Sequence, residues 1–347
     1  MSSITSVRLQ NIRAHKDYQI TLSPEVTVIT GANGSGKTSI IEALYIALQG
    51  SSFKGSDNDV LKRDESWYRA DILFDDETSR TVKFDSERET GRKQFEVNGK
   101  KHYRLPYAQK HPVVLFEPDD LRLLNGSPSR RRQFLDRLIS QLDPEYGISL
   151  RRYERALKQR NTLLKANRNS SDDLFAWNVS LSKYGAYIIS KRMAFIDEIQ
   201  KKLGQTYQNI SHTNDIVSIA YSRPYEGAIE QKLLAELDKY AQKDAILGFT
   251  STGPHRHDVL FEFNETLATM SASRGEIRTI ILALKFIEVA IIESITGRRP
   301  LILLDDVFSE LDKTRQSALI HQFTAHQTVI ASVNAVTKKG LIIELDR

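Results

Sequence analysis

Residues 31–38 read GANGSGKT. A glycine, four residues, a second glycine, then lysine and threonine is the spacing of a phosphate-binding loop. This pattern constrains the fold strongly because it works in one local context only. A strand must deliver the chain to the loop and a helix must carry it away. Successive backbone N–H groups and the positive end of the helix dipole then converge on phosphate oxygens. Both flanks are present: EVTVI at 25–29 is a β-branched run, and SIIEALYIAL at 39–48 has helical periodicity. Gly34 and Gly36 let the loop curl. Lys37 is placed to reach the β- and γ-phosphates of ATP, and the Thr38 hydroxyl to coordinate Mg2+. The candidate nucleotide-binding residues are Gly31, Ala32, Asn33, Gly34, Ser35, Gly36, Lys37 and Thr38.

The second half of such a site lies far along the chain. LILLDD at 301–306 reads as a buried parallel strand ending in two carboxylates. Asp305 is placed to hold Mg2+, directly or through water. Asp306 is placed to orient or deprotonate the attacking water. A solvated acidic turn is the plain alternative, and the presence of GANGSGKT in the same chain weighs against it. Lys37 and Asp305 are 268 positions apart, more than a compact phosphate-binding fold needs, so the middle of the chain is expected to be an insertion.

The middle has a different texture. Residues 129–240 are helix-rich, with weak breaks expected near 167–173 and 204–215, and Asp172-Asp173 before Leu174 reads as a helix cap. Arg151, Arg155 and Lys158 share one helix face, either a solvated surface or a stripe facing DNA. The flanking parts read as α/β, with short strands expected at 4–12, 70–74, 81–85, 94–97, 113–116, 259–263, 301–304, 328–331 and 341–345. The expected organisation is a first lobe from 1–128, a helical lobe from 129–245, and a return to the first lobe from 246–347. No internal repeat and no heptad array is present.

Composition narrows the chemistry. The chain of 347 residues has no cysteine, which excludes disulfides, thiolate metal sites and cysteine nucleophiles. Lys plus Arg total 49 against 44 Asp plus Glu, a formal +5 that permits a polyanionic partner without requiring one. The apolar stretch 279–295 carries Lys285, Glu288 and Glu293, too costly for a membrane span, and the first twenty residues make a poor signal peptide. A cytoplasmic, nucleoid-associated protein with no membrane partner is expected.

MSASRGEIRTI at 270–280 places Ser273, Arg274, Gly275 and Glu276 in a polar turn at a helix start. A capped helix is the bland reading. The turn also resembles the signature motif of ABC-type ATPases, which faces the γ-phosphate of ATP on the other subunit, and that makes Ser273 and Gly275 candidate ATP contacts.

Nearly the whole chain resembles the RecF family of bacterial DNA replication and repair ATPases. The segment from VRLQNIRAHKDYQ through GANGSGKTSIIEALYIALQGSSFK is similar to the family's start. PDDLRLLNGSPSRRRQFLD at 118–136 matches a family signature at Pro118, Asp119, Gly126, Pro128, Arg131, Arg132, Phe134 and Asp136. GPHRHD at 253–258 resembles the family's GPHRDD with His257 substituted, and LLDDVFSELDKTRQSAL matches a second signature that includes Ser309, Glu310, Leu311 and Asp312. The resemblance implies an α/β fold: an ABC-type P-loop head with a mixed sheet, an inserted helical lobe and no long coiled coil. It further implies a homodimer formed with ATP, with Lys37 of one subunit and Ser273 of the other enclosing the nucleotide. That dimer would clamp double-stranded DNA near a single-strand gap and work with mediator proteins of the RecR and RecO type. Arg130, Arg131 and Arg132 would touch DNA phosphate, or Arg131 and Arg132 would instead hold the lobe junction through carboxylates such as Asp136. Departures from ordinary ABC ATPases are Ser332 at the switch-histidine position, Glu117 where glutamine is usual, and Asp306 in place of glutamate. They imply a slow ATPase used as a switch. A transporter subunit, a small-molecule kinase and a head ATPase of another chromosome-maintenance system are the competing classes.

Overall fold

The computed structural model describes residues 3–166, 171–336 and 340–345. The chain opens with β1 (Ile4–Ile12) and β2 (His15–Thr21), an antiparallel pair, followed by β3 (Val26–Thr30). A register shift between Ile4 and Ser6 explains why Ile4 and Val7, three positions apart, both face inward. Helix α1 (Lys37–Gln49) and the short α2 (Asp57–Val60) come next, then β4 (Trp67–Phe74), β5 (Ser79–Asp85), β6 (Lys93–Val97), β7 (Lys100–His102) and β8 (Val113–Phe116). Asn98-Gly99 makes the β6–β7 hairpin turn, both residues at positive φ, as the sequence suggests. The helical stretch follows as α3 (Pro128–Leu142), α4 (Pro144–Lys165) and α5 (Ser171–Ser211), then β9 (Val217–Tyr221), α6 (Ile229–Lys239) and α7 (Ala241–Leu247). The last part holds β10 (Val259–Phe263), β11 (Thr266–Leu267), α8 (Ala268–Ser271), α9 (Arg274–Thr296), β12 (Leu301–Asp305), α10 (Lys313–Gln322), β13 (Thr328–Ser332) and β14 (Leu341–Glu344).

Contacts divide the chain into two compact units. The first joins Met1–Leu121 to Glu288–Arg347 and the second is Arg122–Ile287. The first unit has a six-stranded antiparallel sheet, β2-β1-β4-β5-β6-β7, and a five-stranded parallel sheet, β14-β3-β13-β12-β8. Helix α1 touches strands of both sheets. That position accounts for its sequence: nearly every side chain from Ser39 to Gln49 is buried, and a helix that is apolar all round needs cover all round. The four buried residues of β8 and the five of β12 likewise form continuous apolar runs, as parallel strands covered on both faces do.

The second unit packs α3 to α7 with a three-stranded sheet, β11-β10-β9. Two expectations change here. The return to the first unit comes at Glu288 rather than at residue 246, because β10 pairs antiparallel with β9 from Val259↔Tyr221 to Phe263↔Val217. Strand β9 lies inside the stretch read as helical, although VSIAY alternates buried and exposed residues as a strand does. The break expected across 204–215 is also absent over its first half, since α5 runs through Gly204 to Ser211. Of the other break, 167–170 lie outside the described residues, and Asp172-Asp173 fall within the first turn of α5 rather than before it.

Candidate nucleotide site

The site starts from the order of the parallel strands. β3 lies between β14 and β13, and β13 lies beside β12. The loop leaving β3 and the carboxylates ending β12 therefore emerge at the same edge, the usual ligand edge of a parallel sheet. Register carries this to the residue level: Ser332 pairs with Thr30, one residue before the loop, and Asp305 pairs with Ala331.

Backbone geometry in the loop needs its glycines. Gly34 has φ 85° and Gly36 has φ 97°, in the left-handed region. A Cβ on Gly36 would collide with the His15 imidazole, whose Nε2 meets the Gly36 carbonyl at 3.0 Å. Burial holds the His15 pKa below its ordinary value, so the imidazole is neutral and donates from Nε2. Helix α1 begins at Lys37 with no side-chain cap, which leaves its first N–H groups for a ligand.

The functional side chains converge. The Lys37 ammonium donates to the Gly31 and Ala32 carbonyls at 2.7 and 2.8 Å, folded over its own loop. The Thr38 hydroxyl donates to Asp305 Oδ1 at 2.7 Å, a contact across 267 positions of chain. Asp305 is 2% exposed. Asp306 stands at φ 52°, donates its N–H to the Ala331 carbonyl, and opens a single turn of 3-10 helix at Val307–Glu310. Burial pushes its carboxyl pKa up, with Lys37 opposing and Asp305 reinforcing the shift.

One residue escaped sequence reasoning. Lys54 Nζ lies 3.2 Å from Asp305 Oδ2, so it covers the oxygen that Thr38 leaves free. Its loop is pinned from beneath. Ser52 Oγ donates to Glu42 Oε1 and accepts the N–H groups of Lys54 and Gly55, while Arg13 binds the fully buried Glu42 at 2.8 and 3.0 Å. The only sequence signal was a lysine soon after the loop helix.

The residues fit Mg2+ and a nucleotide. A hydroxyl beside a carboxylate is a hard oxygen set, and Mg2+ takes one or two such protein ligands together with phosphate oxygens. Two buried polar atoms at the site, Ser35 Oγ and Asp306 Oδ1, have no hydrogen-bond partner, as groups facing a ligand would.

The other candidate residues, Glu117 of the first unit excepted, lie in the second unit. Ser273 is exposed and caps α9 in a reciprocal box: its N–H donates to Glu276 Oε2 at 2.6 Å, and its hydroxyl accepts the Glu276 N–H at 3.3 Å. Gly275 lies in the first turn of that helix. Arg151, Arg155 and Lys158 are exposed on α4, opposite a face that buries Tyr153, Ala156 and Arg160. Glu117 is buried at the end of β8, its N–H bonded to Asp120.

A family model described as an AAA domain matches residues 6–247. The DNA replication and repair protein RecF of Clostridium botulinum is 34% identical to this chain over 336 residues, covering 94% of this chain and 91% of that protein. The RecF protein of Streptococcus gordonii is 33% identical and covers 97% of this chain and 95% of its own length. The chain belongs to the RecF family. A solved structure of the recombination mediator protein RecF with ATP, in the RecFOR pathway, superposes with a TM-score of 0.87 at 29% identity, covering 98% of this chain and 94% of that one. A Smc head bound to the C-winged helix domain of ScpA superposes at 0.54 with 16% identity, a likeness of fold.

Two of the segments that carry the resemblance, 122–136 and 253–258, bond to each other within the second unit. Arg131 binds Asp258 through two bonds of 2.8 Å and also donates to the carbonyls of Leu123, Leu124 and Gly126. Arg132 donates to the His257 carbonyl. The carboxylate facing Arg131 is thus Asp258 and not Asp136, which instead holds the buried Arg192. Arg130 is half-buried at the start of α3.

Proposed function

We propose that this chain is an ATP-switched DNA-binding protein of recombinational repair and replication. The observation that carries the reading is the Thr38–Asp305 contact beside a looped Lys37, within a chain that matches RecF over nearly all of its length. Lys37 releases the loop carbonyls and pairs with the β- and γ-phosphates, while the loop N–H groups and the start of α1 bind phosphate oxygens. Thr38 and Asp305 would hold Mg2+, which supplies charge neutralisation on the phosphates. Asp306, its carboxyl pushed up by burial, accepts a proton from the attacking water or orients it. A carboxylate shorter than glutamate, and Ser332 in place of a switch histidine, favour slow turnover, so that bound ATP marks a state. In that state two copies associate, with Ser273 and Gly275 of each facing the nucleotide of the other. The dimer holds duplex DNA beside a gap and cooperates with mediator proteins of the RecR and RecO type. Arg151, Arg155 and Lys158 supply exposed positive charge for phosphate contact.

The test is fluorescence anisotropy of a labelled gapped duplex, with ATP, ADP or no nucleotide, for the parent and Lys37→Ala. Removing a charge-assisted phosphate contact costs about 1.5–3 kcal/mol, a roughly ten- to hundredfold weaker ATP affinity. DNA binding that requires ATP, and that fails in Lys37→Ala at the same ATP concentration, is expected. Equal DNA binding in all three nucleotide conditions would refute the switch.

A further inference from the structure

The outer face of the antiparallel sheet carries a second cavity. Along β4 and β5, Tyr68 and Phe84 face the core and are buried, so their neighbours Trp67, Arg69, Lys83 and Asp85 face the other way. Strand register sets Gln10, Arg69, Lys83 and Gln94 side by side across four strands, with Trp67 opposite Asp85 in the next row. Between these rows, and closed at one end by Arg88 and Arg92, lies a cavity of about 230 Å³.

Its chemistry is specific. Trp67 is 41% exposed, unusual for so large an apolar ring. Positive charge surrounds it. Arg69 is held by Asp71 at 2.7 and 2.8 Å, Arg88 by Asp85 at 3.1 Å, and Arg92 Nε donates to the Arg88 carbonyl. The Lys83 ammonium has no ion-pair partner among the described residues, so the lining carries more cations than anions.

We propose that this cavity binds one unpaired base of single-stranded DNA, stacked on Trp67, with the flanking phosphates on Lys83 and Arg92. An accessible aromatic face inside a cationic groove is the recurring device for single strands, since every base has a π-face. At about 230 Å³ the cavity lies below the ~300–1,000 Å³ of drug-sized pockets, a scale that suits one base. The amides of Gln10 and Gln94 both donate and accept, which suits any base edge. Stacked bases inside a duplex cannot reach the ring, so the ligand is the single-stranded part of a gap. The proposal rests on the DNA-binding reading above.

The chain has two tryptophans, and Trp177→Phe leaves Trp67 as the sole reporter. Titrating that variant with an oligothymidylate, with ATP present, should quench the indole emission. The quenching should weaken with salt, and Lys83→Glu should weaken it further. In the parent background Trp67→Ala should loosen oligothymidylate binding about tenfold, the loss expected for one stacked base, while melting with the parent. Unchanged emission and unchanged affinity would overturn the proposal, as would equal quenching by blunt duplex. If gapped duplex still binds with ATP in either of those cases, the cavity assignment fails and the DNA-binding reading stands. If neither DNA binds under any condition, both fail.

Discussion

At the scale of single residues, the site is a competition for one carboxylate. Asp305 is buried, accepts the Thr38 hydroxyl on one oxygen and faces the Lys54 ammonium on the other. A metal that uses Asp305 must share or displace that lysine. Lys54→Ala should therefore lower the Mg2+ concentration needed for half-maximal binding of a fluorescent ATP analogue several-fold, read by titration at fixed nucleotide. An unchanged Mg2+ requirement would show that Lys54 does not compete. The phosphate loop was legible from sequence because its chemistry allows so few alternatives at Gly36, Lys37 and Thr38. Lys54 was not legible, because what gives it meaning is a partner 251 positions away.

At the scale of elements, the segment before β10 sets the second unit's response to acid. His255 Nδ1 meets the Tyr153 hydroxyl at 2.7 Å and its Nε2 faces the Thr250 carbonyl, while His257 Nδ1 meets Tyr221 and its Nε2 is buried without a partner. Burial is the main cause that depresses both imidazoles, His255 to about 4 and His257 to about 3, from an ordinary 6.5. Because the folded pKa values are the lower ones, the unfolded chain takes up protons first as pH falls. Stability is full above about 6.5 and is lost through the window down to about 4 and 3, at roughly 1.4 kcal/mol per pH unit for each histidine. His257→Gln should remove about one proton's worth of that acid slope in urea unfolding at stepped pH, and an identical slope would contradict the account. Helix α4 supplies a harsher test. Arg160 is fully buried against Asp244, Asn178 and Thr250, so Arg160→Ala should cost about 3–5 kcal/mol in the same assay. Arg160 is one more base in a charged stretch of sequence; its burial depends on α5 and α7, which no local pattern reveals. Strand β9 was missed for a related reason, since VSIAY is short and its pairing partner β10 lies about forty residues on.

At the scale of the whole molecule, the parts read as chemistry fall into different units. The phosphate loop and the β12 carboxylates belong to the first unit, and Ser273 with Gly275 belongs to the second. The order of motifs along the chain was legible, because each is a short segment with its own chemistry. The extent of the second unit past residue 246 was not, because it depends on β9 pairing with β10 across about forty residues of chain. In the proposed dimer, a second copy of the chain would give the Ser273 turn a nucleotide to face. Ser273→Arg places a bulky cation at that turn on an exposed surface, so it should leave monomer ATP affinity near the parent's and abolish association. The measurement that tests the central claim most directly is mass in solution by light scattering. The parent would be run with no nucleotide, with ADP and with a non-hydrolysable ATP analogue, each with and without a gapped duplex. The account predicts a monomer in every condition except the ATP analogue, where a dimer forms and DNA stabilises it. A single mass across all conditions, monomer or dimer, would contradict it.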